Sequence, residues 1–199
     1  MNRINLIIRS GMQRGADCGA VFAAEKLGIK TAGFVPSRCR TESLTNPGQT
    51  EIHPEWILRF GLTEVSGYNY YDELKKRTVA NVQAADATII IARNMESPGT
   101  RLTIKLAAAK TPADRFFKFH WDGLHNVQFY RDGRIRDLLG ILSLWGDSVR
   151  RINFAGNRES KAPGIEQFTT ELVTEVLTRY LDGERADYSP THDIMTAEI

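Results

Sequence analysis

The chain has 199 residues, 42% of them hydrophobic and 25% charged, which suits one well-packed domain and is short for two. With 26 basic against 24 acidic residues the formal charge is +2, a balance that argues against a nucleic-acid-binding or membrane-adhering protein. No apolar run approaches the ~20 residues of a membrane span, and two cysteines, Cys18 and Cys39, without a CxxC spacing exclude a disulfide scaffold and a zinc cluster. The opening MNRINLIIRSGMQ reads as a first strand rather than a signal peptide, so the expected compartment is a reducing cytoplasm.

Residues 4–9 (INLIIR) form a branched apolar run that meets Ser10-Gly11 at once, the pattern of a buried strand entering a tight turn. Ala16, Ala20, Ala23, Ala24 and Leu27 then recur at helical spacing until Gly28, and residues 31–35 give a second strand closed by Pro36. Residues 36–70 are irregular, with Pro36, Pro47 and Pro54 and no sustained period except over 55–60, and read as an insert. A helix is predicted over 71–85 and a strand over 86–92 (DATIIIA). A polar turn follows over 93–100, then a helix over 102–110 and a strand over 115–120. Residues 121–147 read as a second insert, with a hairpin signal at Asp132-Gly133 and a helix over 135–145. A last strand covers 151–155, a polar loop 156–164, and an amphipathic helix 165–181 with Phe168, Leu172, Val176 and Leu177 on one face. Residues 183–199 lack periodicity and read as a flexible tail or an arm onto a neighbour, leaving 1–182 as a single domain.

Strands alternating with helices imply an α/β, Rossmann-like, doubly wound and mainly parallel sheet with helices on both faces. Ligands of such sheets sit beyond the carboxyl ends of the strands. Three turns should therefore converge on one edge: Ser10–Asp17, Arg93–Thr103 and Gly156–Lys161. In the first, SGMQRGAD, Gly11 and Gly15 let the backbone approach an anion, Gln13 donates and accepts, and Arg14 offers a forked cation. Asp17 either takes a ribose hydroxyl or favours the helix start. In the second, SPGT, Gly99 and Thr100 suit a phosphate at a helix N-terminus, or Thr100 is an N-cap. In the third, GNRESKAPGI, Gly156, Arg158, Ser160 and Lys161 gather small, donor and cationic groups, whereas Glu159 reads as a solvated charge. Any one turn has a bland reading; three on one edge point to an anionic, nucleotide-like ligand.

Other chemistry has less support. The four histidines form no HxxxH or HxH pair, so no metal site is expected. His120 ends a strand at the binding edge and reads as structural. Neither a GxSxG elbow nor a Walker A lysine motif is present. Trp56, Trp121 and Trp145 read as core or cover, and Tyr68, Tyr70 and Tyr71 as packing residues ahead of Arg77.

The segments SGMQRGAD (10–17), GFVP (33–36), RTVANVQAADATIII (77–91), SPGTRLT (97–103) and NFAGNRESKAPGI (153–165) together resemble the SLOG superfamily. The likeness is to its circularly permuted YpsA-like branch, whose members are often labelled molybdenum carriers, and it covers most of residues 5–175. It implies a Rossmann-like domain permuted relative to other SLOG domains, a nucleotide-derived ligand and a homo-oligomer. Two positions depart from the GGQTG of the family: Met12 and Arg14 stand for Gly and Thr. The Lonely Guy phosphoribohydrolases of the superfamily use PGGxGTxxE; the residue at the Glu position here is Thr103, which cannot serve as their acid or base. Arg77 matches their phosphate-region arginine. The resemblance thus implies a ligand-binding protein, one that senses or sequesters a nucleotide signal such as a cyclic ADP-ribose-type molecule. Its alternatives are a nucleotide phosphoribohydrolase or N-glycosidase, with Asp17 or Glu159 as a substitute acid, and a carrier of molybdenum cofactor, whose molybdopterin phosphate would use the same edge.

Overall fold

The structure, a computed structural model, describes residues 5–46, 48–123 and 128–187. Six strands form one parallel sheet: β1 (Ile7–Arg9), β2 (Lys30–Pro36), β5 (Leu62–Val65), β6 (Ala87–Ala92), β7 (Phe116–His120) and β8 (Arg151–Gly156). Their order is β5-β2-β1-β8-β6-β7. A separate antiparallel hairpin joins β3 (Arg40–Glu42) to β4 (Thr50–Ile52). The helices are α1 (Ala16–Lys26), α2 (Pro54–Arg59), α3 (Tyr70–Ala84), α4 (Pro98–Lys110), α5 (Gln128–Trp145) and α6 (Ile165–Leu181). This is the doubly wound, Rossmann-like α/β fold that the alternation of strands and helices predicts.

β6 shows why the sequence chooses this architecture. All six of its residues are buried, as a central parallel strand with both faces covered requires. Ile89 and Ile91 enter the larger core with Ile8, Ile152, Phe154 and the apolar faces of α1, α5 and α6. Ile90 and Ala92 point the other way, to Val82 of α3, Ala107 of α4 and Phe116. Phe168, Leu172, Val176 and Leu177 of α6 are all buried at their expected positions. β1 is too short to pair the full length of β2, and Asn81 of α3 completes the edge. Its amide accepts from the Phe34 N–H at 2.9 Å and donates to the Phe34 carbonyl at 2.8 Å. Lys110, at the end of α4, donates to the carbonyls of Val82, Gln83 and Ala85, closing the C-terminus of α3.

Four expectations change. Residues 36–70 are not irregular throughout: they build the hairpin, α2 and the edge strand β5, which pairs in parallel with β2 from Gly33↔Leu62 to Pro36↔Val65. β5 is only four residues long with two exposed positions, too short for a period to show. The Asp132-Gly133 pair makes no hairpin; it lies inside α5, because Ile135, Leu138, Leu139, Ile141, Leu142 and Trp145 bury one continuous face. A helical glycine costs about 1 kcal/mol, which that burial offsets. The helix after β6 starts at Pro98, so SPGT is its first turn rather than a loop before it. Finally, residues 183–187 run back onto the domain: the Ala186 N–H donates to Ser143 Oγ and Arg185 covers the Tyr180 ring. The remainder of the expected tail lies outside the described residues.

Trp56, Trp121 and Trp145 are buried as core and cover. Trp56 belongs to a third core, with Met12, Cys18, Val21, Val35, Cys39, Phe60 and Leu62, that fastens the hairpin and α2 to the sheet. Among the described residues no helix is long and apolar enough to cross a membrane.

Candidate functional site

The parallel strands carry the three turns to one edge, and hydrogen bonds stitch them together. Gly15 and Arg158 form an antiparallel bridge. The Glu159 N–H donates to the Arg14 carbonyl at 3.0 Å and the Ala16 N–H to the Asn157 carbonyl at 3.2 Å. Gly15 makes this possible: its φ is +117°, and a β-carbon there would meet the Asn157 carbonyl oxygen at 2.4 Å. The turns after β8 and β6 meet through Asn157, which is only 3% exposed. Its Oδ1 accepts from the N–H groups of Arg93 and Asn94, at 2.9 and 2.7 Å. Its Nδ2 donates to the Asn94 carbonyl, Ser97 Oγ and Thr100 Oγ1 at 2.9–3.1 Å. Asn157 was not among the residues singled out from sequence. The signal that could have found it is its place, one residue past a strand end and beside the glycine of that turn.

Between these turns and the facing sides of α3 and α4 lies a cleft of ≈ 350 Å³, of the size small-molecule sites usually have. Leu74 and Leu102 give it apolar walls, Tyr71 stands at it 76% exposed, and Gln13, Asp17, Arg77, Gly99, Thr103, Gly156, Arg158 and Lys161 supply most of its polar lining. Its side-chain charges are Lys75, Arg77, Arg158 and Lys161 against one carboxylate, Asp17. That carboxylate is 2.7 Å from Arg77 Nη1, with both side chains largely buried. Among the described residues neither Arg158 nor Lys161 has an ion-pair partner. At the same edge α4 begins with Pro98, so the N–H groups of Gly99 and Thr100 have no intrahelical acceptor. Positive charge and the start of α4 at Gly99 therefore face one hollow, with Thr100 buried behind it. A larger hollow, ≈ 860 Å³, lies at the opposite edge against Asp86 and Arg151. These two residues already pair at 2.6 Å, and no strand-to-helix turn opens there.

The candidate residues divide. Gln13, Asp17, Arg77, Gly99, Gly156, Arg158 and Lys161 line the cleft. Gly156 is required by close approach, since a β-carbon there would meet the Ile91 carbonyl oxygen at 1.8 Å; at Gly11 a β-carbon would meet Arg77 Nη1 at 1.5 Å, so the Arg77 side chain would have to move. Gly11 is thus the seat of the Arg77 guanidinium. Gly99 has nothing within 4 Å of such a β-carbon, so nothing in the fold itself needs a glycine there.

Four candidates are committed to other partners. Arg14 does not face the cleft; it pairs with Glu166 of α6 at 2.6 Å, and the same carboxylate accepts the Gly15 N–H. Burial pushes the Glu166 carboxyl up, against the pull of Gly15 and Arg14. Thr100 is 2% exposed, and its hydroxyl belongs to Asn157 and Ser97. Ser160 donates through both N–H and Oγ to Glu42 of β3, which latches the hairpin to the α6 turn. Asp17, expected to take a sugar hydroxyl, is clasped by Arg77 and also accepts from the Gln13 N–H at 3.4 Å. Glu159 is not merely a solvated charge: it accepts from the N–H groups of Gly164 and Glu166 and caps α6. Each of these pairings joins residues far apart in sequence, or depends on a local turn that spacing does not reveal.

The two departures in the first turn have physical accounts. Met12 sits at φ +53°, where glycine is unstrained, and its fully buried side chain joins the core under the hairpin. Arg14 has Glu166 as its counter-ion. His120 lies at the end of β7 opposite Ala92, outside the cleft lining. Tyr70 does more than pack: its hydroxyl reaches Gln13 Oε1 at 3.3 Å and its ring lies under Arg40. Among the described residues no three His, Cys, Asp or Glu side chains gather as metal ligands.

The model of the circularly permutated YpsA SLOG family matches residues 8–177. The chain belongs to this family. A crystal structure from Syntrophus aciditrophicus SB, of a protein named there as a "putative molybdenum carrier protein", is 29% identical. The match covers 86% of this chain and 94% of that one, with a TM-score of 0.61. No curated protein matches the chain. Family and fold thus agree with the resemblance carried by the turn motifs.

Proposed function

We propose that this protein binds an anionic, nucleotide-derived small molecule in the cleft at the carboxyl edge of the sheet, and holds it rather than cleaving it. The observation that carries the reading is the charge imbalance there: three cations without an ion-pair partner among the described residues, Lys75, Arg158 and Lys161, beside the Gly99 N–H at the start of α4. A phosphoryl group would satisfy those donors and offset the repulsion among the cations. Leu74, Leu102 and the exposed Tyr71 offer an apolar slot for a base or another flat heterocycle. Thr103 argues for holding over hydrolysis: its hydroxyl donates to the Gly99 carbonyl at 3.1 Å. It stands where the phosphoribohydrolases carry their glutamate, and the carboxylate that does line the cleft is occupied by Arg77.

The name of the Syntrophus relative points to molybdenum, and a second cargo of similar chemistry is then a phosphorylated pterin bearing that metal, which the same slot and donors would suit. Mass spectrometry of molecules released on heat denaturation separates the two, with Arg158→Ala and Gly99→Ala as controls. We expect a phosphorylated nucleotide or pterin near one per chain. Arg158→Ala should lose it, and Gly99→Ala should hold it less tightly while melting as the wild type does. The proposal is overturned if no phosphorylated nucleotide, cyclic or linear, and no pterin binds the protein. It is also overturned if nucleoside monophosphates are split to free base at catalytic rates.

A further inference from the structure

We infer that the cleft has two oxyanion subsites, one at the start of α4 and a second under the β3–β4 hairpin, so that its ligand carries two separated anionic groups. The inference rests on the reading of the cleft as an anion site and specifies what that anion looks like.

The second subsite is built on Gln13 and Tyr70. Gln13 Nε2 donates to the Arg40 carbonyl at 2.8 Å, and the Tyr70 hydroxyl lies 3.3 Å from Gln13 Oε1 and 3.4 Å from the same carbonyl. These polar atoms are occupied by one another, so they act as a frame. The frame holds the Arg40 guanidinium over the Tyr70 ring, 5.0 Å from its centroid. Arg77 and Arg158 also act on this ring: burial raises the Tyr70 phenol, while Arg158, Arg77 and Arg40 all pull it down. Arg77 and Arg158 line the cleft together with Gln13, and Arg40 is held to Gln13 and Tyr70, so three guanidiniums gather about this frame. Asp17 answers one of them, Arg77. Glu42, the carboxylate two residues beyond Arg40, is turned to Ser160 instead. Among the described residues Arg40 and Arg158 have no carboxylate partner. Like charges gathered this way repel unless an anion comes between them, and forked guanidiniums are suited to phosphoryl or carboxylate oxygens.

The separation follows from the sheet. Gln13 follows β1 and Gly99 follows β6, and these strands flank β8. Two strand spacings place the two ends about 10 Å apart before side chains reach inward. One phosphate cannot serve both ends. A ligand with oxyanions on either side of a sugar or ring can, with its flat part against Leu74 and Leu102.

The test uses inorganic phosphate and the isotope-labelled full chain, followed by amide NMR. We expect two sets of shifts with separable affinities, one at Gly99 and Thr100 and one at Gln13, Arg40 and Arg158. Arg40→Gln should weaken the second set by at least about fivefold and leave the first within about twofold. If Arg40→Gln displaces the hairpin, seen as shifts at Thr41 and Glu51, Arg40→Lys, which keeps the charge and loses the fork, serves in its place. Shifts confined to the Gly99 end, or a second set indifferent to both substitutions, would overturn the inference and leave the anion-site reading standing. Shifts at neither end would overturn that reading and the inference with it.

Discussion

Replacing Asn157 by alanine removes the five hydrogen bonds that join the β6 and β8 turns. Leaving a buried donor or acceptor without its partner costs about 1–3 kcal/mol. The N–H groups of Arg93 and Asn94 belong to exposed residues and can regain water, and the Thr100 hydroxyl keeps Ser97. The five losses therefore do not add, and the expected cost is about 3 kcal/mol. For a domain of this size each kcal/mol lowers Tm by about 2–4 °C, so Asn157→Ala should melt about 6–12 °C early. Asn157→Asp keeps the shape and the two accepted bonds and loses the three donated ones. Its two hydroxyl partners can turn to donate, whereas the Asn94 carbonyl cannot. We expect it to lose about 1 kcal/mol of stability but at least about tenfold in anion affinity, since it brings a carboxylate to the cleft. Differential scanning fluorimetry with and without phosphorylated ligand measures both. Melting of Asn157→Ala within about 2 °C of the wild type, or normal anion binding by Asn157→Asp, would refute this role for Asn157.

Two further outcomes follow from buried or paired ionisable groups. Although burial raises the Asp86 carboxyl, bonds from the Arg151 side chain and from the N–H groups of Arg150 and Arg151 hold it below the usual carboxylate value. Its stabilisation is therefore present above about pH 4 and is lost as pH falls through the depressed value. Asp86→Asn should cost about 1 kcal/mol at pH 7 and flatten the fall of Tm below pH 4; an unchanged acid limb would refute the assignment. Burial pushes the Cys39 thiol up to about 12 and holds the Cys18 thiol well above its ordinary value. With a pKa near 12, roughly one Cys39 in ten thousand is a thiolate at pH 8. A thiol reagent should label neither cysteine in the folded protein over an hour and both in denaturant, and rapid native labelling would contradict the packing around Met12 and Trp56.

Local sequence determined the parallel sheet and the edge that carries the site. Branched apolar runs such as ATIIIA need cover on both faces, glycines after strands force tight turns, and the alternation with helices makes the strands parallel, whereas the strand order and β5 came only with the structure. Those constraints are local and repeat along the chain, so they can be read without coordinates. They also placed Gln13, Gly99, Arg158 and Lys161 together, because parallel strands must all end on the same side, whereas Arg77, inside α3, is reached only through the family resemblance. Tertiary structure alone decided which polar groups remain for a ligand. Arg14 and Asp17 look equally available in SGMQRGAD, yet Glu166 lies 152 residues from Arg14 and Arg77 lies 60 from Asp17. An ion pair depends on distance in space, and a linear spacing carries none of that. The same holds for Arg40, in a segment whose strands are only three residues long. Periodicity needs several repeats to show, whereas three residues can place a guanidinium over Tyr70 once the core of Met12, Trp56 and Phe60 fixes the hairpin.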